Sequence, residues 1–501
     1  MREWPLTVSD AANPGTNAAD ALDGPGIAMI ADGSLLRVSA RRVCHAAVDS
    51  RRVEPGMLFV ALPGEHTDGH RFLADAVARG AAALLVTRDL PDAELDALAA
   101  AAPGGCSIVQ VRDGIGALHA LAASWRLRFD PLVVGITGSI AKTSTKEAVA
   151  SVLSRSYRVL RSEGNENNEI GLPLTLLRLG REYQVAVLEM GMYVPGEIAQ
   201  LCDVARPDIG IVTAVRGVHL ERAGSIDAIE AGKGQLVEAL PEAGTAILNA
   251  DDPRVRRMAG RTRARVLTYG FNEAADVTSV GVTSAGLDGM RFRLRLPGQA
   301  ERPVRLPVLG RHGVHNGLAA AAAGVALGLD PVDIIEGLER GWHAPHRDAL
   351  RRIGPWLVID DTYNAGPDSM AAALELLGSL PGRHVAVLGE MLELGPEALT
   401  LHREVGERAA ASCDLLLAVG DRGALIAAGA RGSGLAAGRA LAVPDHAAAL
   451  RELRARLLPG DVVLFKASRG LGLDPGLRSQ RGLGLDDLVD ALEASTMGVP
   501  A

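Results

Sequence analysis

The chain has 501 residues, 48% of them hydrophobic and 22% charged, with a formal net charge of -8. This length suggests two to four domains with ample core, and the acidic balance excludes nucleic-acid binding by bulk electrostatics. Four cysteines lie far apart without a CxxC pair, which argues against a disulfide framework and favours a reducing cytoplasm. The longest apolar stretch, 317–329, is too short for a bilayer, and the N-terminus lacks a signal peptide's apolar core, so we expect a cytoplasmic protein without membrane insertion.

The N-terminal part of the chain is predicted to begin with a loose leader, residues 1–35, followed by one small α/β unit from Val43 to Thr87 and a second that runs to about Phe129. The predicted elements of the first unit are two strands and a helix: Met57–Leu62, Ala82–Val86 and Arg71–Arg79. Within the unit, Ser50 and Arg51 can grip a diphosphate through charge-assisted hydrogen bonds. A surface salt bridge is the alternative interpretation of these two residues.

The segment GITGSIAKTSTKE has the layout of a phosphate-binding loop. A strand is predicted over Val133–Ile136, a small-residue loop over Thr137–Ala141, and a helix after Lys142, Thr143 and Ser144. Backbone N–H groups and the helix N-terminus receive the anion, Lys142 reaches terminal phosphates, and Thr143 can bind Mg²⁺. The sequence therefore predicts binding of a nucleoside triphosphate, with an ordinary strand-to-helix turn as the alternative.

One residue of this loop departs from the form T-G-x-x-G-K-[ST]-[ST]. Ala141 stands where the second glycine is expected, and alanine costs about 1 kcal/mol if that position requires a positive φ. Gly138, Ser139 and Ser144 complete the predicted nucleotide-binding set.

Beyond residue 131, strands alternate with helical patterns, which predicts a mostly parallel sheet. The candidate strands up to about residue 340 are Val185–Glu189, Ile209–Thr213 and Ala246–Asn249. Residues 275–309 alternate in polarity and predict an antiparallel hairpin insertion. The segment 341–355 reads as a linker or crossover. A third, Rossmann-like unit follows, with predicted strands Trp356–Asp360, His384–Leu388, Leu415–Val419 and Val462–Lys466.

Polar residues follow several of these strands, where ligands bind in open α/β sheets. Glu189 can hold Mg²⁺ near the loop hydroxyl, with a helix cap as the alternative. Considered alone, His219 is interpreted as a structural hydrogen-bonding histidine and Lys233 as a solvated lysine. Asn249 can contact a nucleotide, and Asp361 can contact a nucleotide or a metal ion, with turn chemistry as the alternative for both. His312 and Asn316 lie four residues apart and share one face of a helix if the helix begins there, with an N-terminal capping region as the alternative.

Five motifs occur together in one order along the chain: DSRRVEPGMLFVALPGEHTDGH, GNENNEIGLPLTLL, EMGMYVPGEI, DDTYNAGPDSM and VLGEMLELG. With the phosphate loop they resemble the Mur ligase family, and within it the MurF type, from about residue 43 to 470. The D-N-P-R signature of the MurE type is absent from the sequence.

The resemblance implies an α/β protein with three domains: a UDP-substrate domain (1–129), a central P-loop ATPase-like parallel-sheet domain (130–343) and a Rossmann-like amine-binding domain (344–501). It implies that ATP phosphorylates the terminal carboxylate of UDP-N-acetylmuramoyl-tripeptide, and that D-alanyl-D-alanine attacks the acyl phosphate. The products are an amide, ADP and phosphate, in peptidoglycan precursor synthesis. Two Mg²⁺ sites and a monomer are the family expectation.

The resemblance also assigns roles to residues. Lys142 and Thr143 would handle phosphates and a first Mg²⁺ together with Glu189, while Glu189 and His219 would hold a second metal ion. Lys233 matches the lysine that family members carbamylate, and a carbamate is a metal-binding anion. The implied nucleotide contacts are Asn249, Asn316, Arg347 and Asp361, and the implied substrate contacts are Ser50, Arg51, Asn167, Asn168, Asn364, Lys466, Ser468 and Arg469.

Several residues depart from the family pattern. Ala141 and Ala467 replace glycines, Ala214 and Gly366 replace asparagines, and His346 replaces the glycine before Arg347. Two alternatives therefore stay open: a relative within the family that uses a different amine or carboxylate, and a nucleotide- or UDP-sugar-binding pseudoenzyme. The retained phosphate and metal residues favour an active ligase.

Overall fold

A computed structural model of the chain describes residues 21–64, 67–102, 104–217, 220–470 and 473–497. Within these ranges the strands form three sheets, of five, nine and six strands, which follow one another along the chain. No helix in the described ranges has the length and apolarity needed to cross a membrane. The three-domain α/β architecture expected from the sequence is confirmed, while its boundaries after residues 129 and 343 stay predictions.

The first sheet has the strand order β1-β5-β4-β3-β2, with β1 antiparallel to β5 and the other pairs parallel. Its strands are β1 (Ser34–Arg37), β2 (Ala46–Ala47), β3 (Leu58–Val60), β4 (Ala83–Val86) and β5 (Ser107–Gln110). Its helices are α1 (Gly24–Ile30), α2 (Leu73–Ala78), α3 (Asp92–Ala101) and α4 (Gly114–Phe129).

The prediction of a loose leader is wrong for the residues between 24 and 35. Asp23 caps α1 by accepting a hydrogen bond from the Gly26 N–H, and Ile27 is fully buried. The helix is short and begins Gly-Pro-Gly, so it carries no helical periodicity that a sequence pattern would reveal. Residues 1–20 of the predicted leader lie outside the described residues.

The central sheet has the order β14-β13-β12-β11-β10-β9-β6-β8-β7. Its strands are β6 (Leu132–Thr137), β7 (Val159–Arg161), β8 (Val185–Glu189), β9 (Ile209–Val212), β10 (Thr245–Asn249), β11 (Arg265–Gly270), β12 (Val277–Ser284), β13 (Met290–Arg295) and β14 (Arg302–Leu306). Its helices are α5 (Lys142–Leu153), α6 (Gly171–Leu176), α7 (Glu197–Ala205), α8 (Leu220–Ala223), α9 (Ile226–Glu238), α10 (Pro253–Arg257), α11 (Gly310–Ala326) and α12 (Pro331–Arg340).

Neighbouring strands from β7 to β12 are parallel, and β13 and β14 extend the sheet in antiparallel fashion. The predicted antiparallel insertion at 275–309 is thus confirmed. The inner parallel strands β6, β8, β9 and β10 are nearly continuous apolar runs, as in β8 (VAVLE), because helices cover both faces of the sheet there.

The position of β6 in this sheet defines a ligand site. The chain leaves β6 towards β8 and β7 on one side and later returns to β9 on its other side. Such a reversal of strand order opens a crevice at the carboxyl ends of the strands. In register, Ile136 lies opposite Glu189, and Thr137 lies opposite Val212.

The third sheet has the order β15-β16-β20-β17-β18-β19, with only β15 antiparallel to its neighbour in the residues described. Its strands are β15 (Ala349–Ile353), β16 (Trp356–Asp360), β17 (His384–Leu388), β18 (Leu415–Val419), β19 (Ala440–Val443) and β20 (Val462–Lys466). Its helices are α13 (Pro367–Ser379), α14 (Ala398–Ser412), α15 (Gly423–Gly432), α16 (His446–Arg456), α17 (Pro475–Gln480) and α18 (Asp486–Met497). The reading of 341–355 as a linker is wrong for β15, which pairs along β16 at the sheet edge.

Candidate active site

The phosphate loop joins β6 to α5 in a strained backbone conformation that hydrogen bonds hold in place. Ala141 is the N-cap of α5 and has φ 65° and ψ 2°, so the left-handed backbone considered from the sequence is present. Gly138 has φ 154°, and a Cβ there would lie 1.8 Å from the Thr213 hydroxyl oxygen, which restricts this position to glycine. Lys142, the first residue of α5, reaches back and donates to the Gly138 carbonyl at 2.8 Å.

The residues that follow β9 hold the loop in place. The Ser139 N–H donates to the Ala214 carbonyl at 2.8 Å, and the Thr213 hydroxyl donates to the Ile140 carbonyl at 2.6 Å. The Ser139 hydroxyl donates to the Arg216 carbonyl at 3.0 Å and accepts from the Arg216 N–H at 2.9 Å. Ser139 therefore uses its hydroxyl within the protein.

Four of the predicted residues converge beside the loop, around Glu189. The Thr143 hydroxyl donates to Glu189 Oε2 at 2.8 Å, and Asn167 Nδ2 donates to Glu189 Oε1 at 2.8 Å. Arg347, from the segment before β15, donates to the Thr143 hydroxyl at 3.2 Å. The Glu189 carboxylate is buried, and together with the Thr143 hydroxyl it presents the oxygen ligands that Mg²⁺ prefers.

Two lysines face this group from α5 and α9. Burial lowers the pKa of Lys142, although Glu189 opposes the shift. Burial lowers the pKa of Lys233 much further, and the nearby charge of Lys142 adds to the effect. Lys233 has no acidic partner in the part of the chain that the structure describes, so both influences favour the neutral form of its amine, which is the form that reacts with carbon dioxide. His219, predicted to join this group, lies outside the described residues.

A cleft of about 660 Å³ opens in front of these groups. Its lining includes Lys142, Asn167, Asn168, Glu169, Tyr193 and Lys233. Asn168 also supports the local backbone, because its Oδ1 accepts hydrogen bonds from the N–H groups of Ile170 and Gly171.

A second cleft of about 660 Å³ lies on the other side of the α5 N-terminus, between the central and third sheets. Ser144, Asn316 and Arg347 line it, together with His312 and Asp348, whose side chains pair at 2.9 Å. Arg347 stacks over the Tyr363 ring with its guanidinium carbon 4.1 Å from the ring centre. Its Nε is buried and has no hydrogen-bond partner, which leaves a donor for an anionic ligand.

Asn249 does not join either of these clefts. It is buried, its amide donates to the Thr213 carbonyl at 2.7 Å, and its Oδ1 lies 3.2 Å from His315 Nε2. Its amide therefore supports the loop after β9, which in turn holds the phosphate loop.

The predicted third-domain residues gather where β16 and β20 end. Lys466 Nζ lies 2.5 Å from Asp361 Oδ2 and 3.1 Å from the Asn364 carbonyl. Burial raises the pKa of Asp361 to about 6, and Lys466 offsets only part of this shift. The Ser468 hydroxyl donates to the Ala365 carbonyl at 3.1 Å, and Arg469 lies 3.5 Å from Asp486.

Ser50 and Arg51 lie in the first domain, apart from this cluster. Ser50 is buried, whereas Arg51 is exposed and pairs with Asp49 at 2.7 Å, which is the salt bridge considered as the alternative. The neighbouring Arg52 pairs with Glu166 at 3.2 Å and so contacts the loop that carries Asn167.

Three of the departures from the family pattern, at 141, 346 and 467, are accommodated locally in the structure. His346, like Ala141 at the phosphate loop, has a left-handed conformation (φ 56°) that only glycine adopts without strain. Ala467 is fully buried, and a Cβ placed on Gly389 would lie 2.6 Å from its methyl group. The Ala467 methyl therefore occupies space that Gly389 leaves free.

Sequence reasoning missed Thr213, Arg216 and Asp348. They act through contacts between distant segments, and no motif marks them. The positive φ of Asp348, 49°, is likewise a property of the folded backbone.

Comparison with known proteins identifies the family. Three sequence profiles match: "Mur ligase family, catalytic domain" over residues 45–125, "Mur ligase middle domain" over 136–324, and "Mur ligase, glutamate ligase domain" over 346–469. The UDP-N-acetylmuramoyl-tripeptide--D-alanyl-D-alanine ligase of Mycobacterium bovis is 38% identical, over 89% of this chain and 95% of the relative. The Escherichia coli ligase of the same name is 37% identical, over 86% and 92%.

Solved structures agree with the sequence comparison. MurF from Acinetobacter baumannii superposes with a TM-score of 0.82 at 30% identity, covering 95% of this chain and 99% of that one. MurF ligase from Thermotoga maritima in complex with ADP gives a TM-score of 0.74 at 28% identity, covering 90% and 98%. The chain therefore belongs to the Mur ligase family, and within it to the MurF type.

Proposed function

We propose that this chain is an ATP-dependent ligase that joins D-alanyl-D-alanine to UDP-N-acetylmuramoyl-tripeptide in peptidoglycan precursor synthesis. The observation that carries the proposal is the convergence of Lys142, Thr143, Asn167 and Glu189 at the end of β6 and β8. The names of the similar enzymes specify the same two substrates.

The residues at the phosphate loop suit the first half of this reaction. A carboxylate is a poor electrophile, and phosphorylation by ATP gives it a leaving group. The α5 N-terminus and Lys142 stabilise negative charge on the transferring phosphoryl group, since preorganised donors in a buried site act without reorganisation. Arg347, with its unpartnered buried Nε, is suited to bind a phosphate oxygen as well.

Thr143 and Glu189 would hold Mg²⁺, with Lys233 as a further ligand in its carbamylated form. The oxygen atoms of Thr143 and Glu189 fit this ion, and the lowered pKa of the buried Lys233 amine suits its carbamylation. Mg²⁺ would supply charge neutralisation for the phosphates. We assign His219 to the second metal site on the resemblance alone.

We assign the remaining residues by position in the family pattern. On the resemblance alone, the nucleotide would contact Gly138, Ser139, Ala141, Ser144, Asn249, Asn316, Arg347 and Asp361, although the Ser139 hydroxyl and the Asn249 amide already bond within the protein. The substrates would contact Ser50, Arg51, Asn167, Asn168, Asn364, Lys466, Ser468 and Arg469. The enzyme is proposed to work as a monomer in the cytoplasm.

Phosphate release with Mg·ATP and UDP-N-acetylmuramoyl-tripeptide, with and without D-alanyl-D-alanine in bicarbonate buffer, tests the proposal. We expect release and amide formation that depend on D-alanyl-D-alanine, and loss of both in Lys142→Ala. Turnover with another amine alone would move the chain to a different substrate class. Nucleotide binding without turnover of any amine would identify a pseudoenzyme.

A further inference from the structure

Arg216 connects the phosphate loop to the third domain. It lies in the loop after β9, where its N–H donates to the Ser139 hydroxyl at 2.9 Å and its carbonyl accepts from that hydroxyl at 3.0 Å. These two reciprocal hydrogen bonds make its backbone part of the phosphate-loop structure.

The side chain of Arg216 is held at its base by a buried acid. Its Nη1 lies 2.5 Å from Oδ2 of Asp252, which is only 1% exposed. The same Oδ2 accepts a hydrogen bond from the Val215 N–H at 2.9 Å. Because a guanidinium is a rigid planar fork, one anchored edge fixes where the other edge points.

The other edge of the guanidinium reaches the third domain. Arg216 Nε lies 3.1 Å from Oδ2 of Asp368, the second residue of α13. Asp368 is half exposed, and Arg216 is its one cationic partner among the residues described. Helix α13 begins directly after the loop that carries Asp361 and Asn364, so this ion pair links the neighbourhood of the third-domain site to the phosphate loop.

We propose that Arg216 is a positioning residue that holds the third domain against the phosphate loop through Asp368. In this position the amine attacks the acyl phosphate in preference to water. The inference rests on the proposed function. Attack by the amine forms the amide and releases phosphate, whereas attack by water returns the carboxylate and releases phosphate without product. Closure of the site excludes that water.

Asp368→Ala is the decisive variant, because Asp368 is exposed and lies outside the catalytic machinery, so the fold is retained. The matched control is Glu301→Ala, which removes an ion pair of similar length (2.9 Å) with Arg293 in the β13–β14 hairpin. In Asp368→Ala we expect up to about a fivefold rise in KM for D-alanyl-D-alanine, the range of a partly exposed ion pair. We also expect more than one phosphate released per amide formed, with ATP affinity unchanged. High salt should move the wild type in the same direction.

A double-mutant cycle separates the pair from general effects. Arg216→Ala also leaves Asp252 buried without its cation, so it is compared with Arg216→Ala/Asp368→Ala. If the pair acts as a unit, Asp368→Ala adds nothing to the phosphate-to-amide ratio once Arg216 is gone. Wild-type values of KM and of this ratio in Asp368→Ala, or additive effects in the cycle, would overturn the inference. Absence of amide formation in the wild type would instead refute the proposed function.

Discussion

Three residues beside the two clefts, Ala141, His346 and Asp348, have left-handed backbone conformations with φ of 65°, 56° and 49°. For a residue with a Cβ this conformation costs about 1–2 kcal/mol. At Ala141 the strain is held by hydrogen bonds on both sides, through Ser139 and through the Lys142 amine. The left-handed backbone of Ala141 is therefore imposed by the surrounding hydrogen bonds and not favoured by its own side chain.

The substitution Ala141→Gly should raise the free energy of unfolding by a few tenths to about 1 kcal/mol, because relief of the left-handed strain exceeds the extra freedom of glycine in the unfolded chain. The control is Ala199→Gly within α7, where the same change should lower stability by about 1 kcal/mol. Thermal or denaturant unfolding measures both. A stability loss in Ala141→Gly would contradict the strain argument.

The chain contains only four lysines, Lys142, Lys146, Lys233 and Lys466, which makes carbamylation of Lys233 easy to test. With ¹³C-bicarbonate, we expect a carbamate resonance from Lys233 in the carbon NMR spectrum, because burial lowers the pKa of this amine and so favours its neutral, reactive form. The resonance should be lost in Lys233→Ala and kept in Lys466→Arg. Its persistence in Lys233→Ala would place the carbamate on another amine of the chain.

The convergence at the phosphate loop could be predicted from the sequence only in part. Glu189 ends a buried strand, and parallel strands end at one edge, so its approach to Thr143 follows from topology. The contact of Arg347 with Thr143 does not, since it depends on how the third domain meets the central sheet. The same is true of Arg216, whose partners Ser139, Asp252 and Asp368 come from three segments.

At the scale of elements, buried parallel strands were the most predictable feature. Val185–Glu189 and Trp356–Asp360 match the structure at both ends, because a short continuous apolar run bounded by polar turns fits few other structures. Strand β15 (ALRRI) was missed, since it carries two adjacent arginines and exists through its pairing with β16 at the sheet edge. Its sequence alone does not favour a strand over a linker.

Strand β13 gives a test of the antiparallel extension of the central sheet. Its residues alternate, with Phe292 buried and Arg291 exposed. Phe292→Ala should destabilise the protein by about 3–5 kcal/mol, since it removes a large side chain from a packed core. Arg291→Ala should change stability by no more than about 0.5 kcal/mol. Equal losses of stability for the two substitutions in denaturant unfolding would contradict the assignment of one face of β13 to the core and the other to solvent.

At the scale of the whole molecule, a charged pair links α11 of the central domain to the segment before β15. His312 Nε2 lies 2.9 Å from Asp348 Oδ2. Burial acts to lower the pKa of His312, but Asp348 and Asp361 together raise it, so the net pKa lies above the ordinary value. For Asp348, burial acts to raise the pKa, but His312, Lys466 and Arg347 together lower it below the ordinary value. Each group therefore favours the charged form of the other across the cleft between the domains.

The pair should make the stability of the chain depend on pH in a defined window. Because the pKa of His312 is raised, its contribution to stability is complete below about pH 6.5 and is lost as the pH rises through the pKa of the folded state. Because the pKa of Asp348 is lowered, its contribution is complete above about pH 4 and is lost as the pH falls further. His312→Gln should therefore lower the melting temperature by on the order of 1–3 °C at about pH 5.5 and by nothing measurable well above the His312 pKa. The control, His343→Gln, changes an exposed histidine that lines the same cleft without an ion pair in the described structure. A pH-independent loss in His312→Gln would mean that His312 stabilises the contact between domains through packing rather than charge.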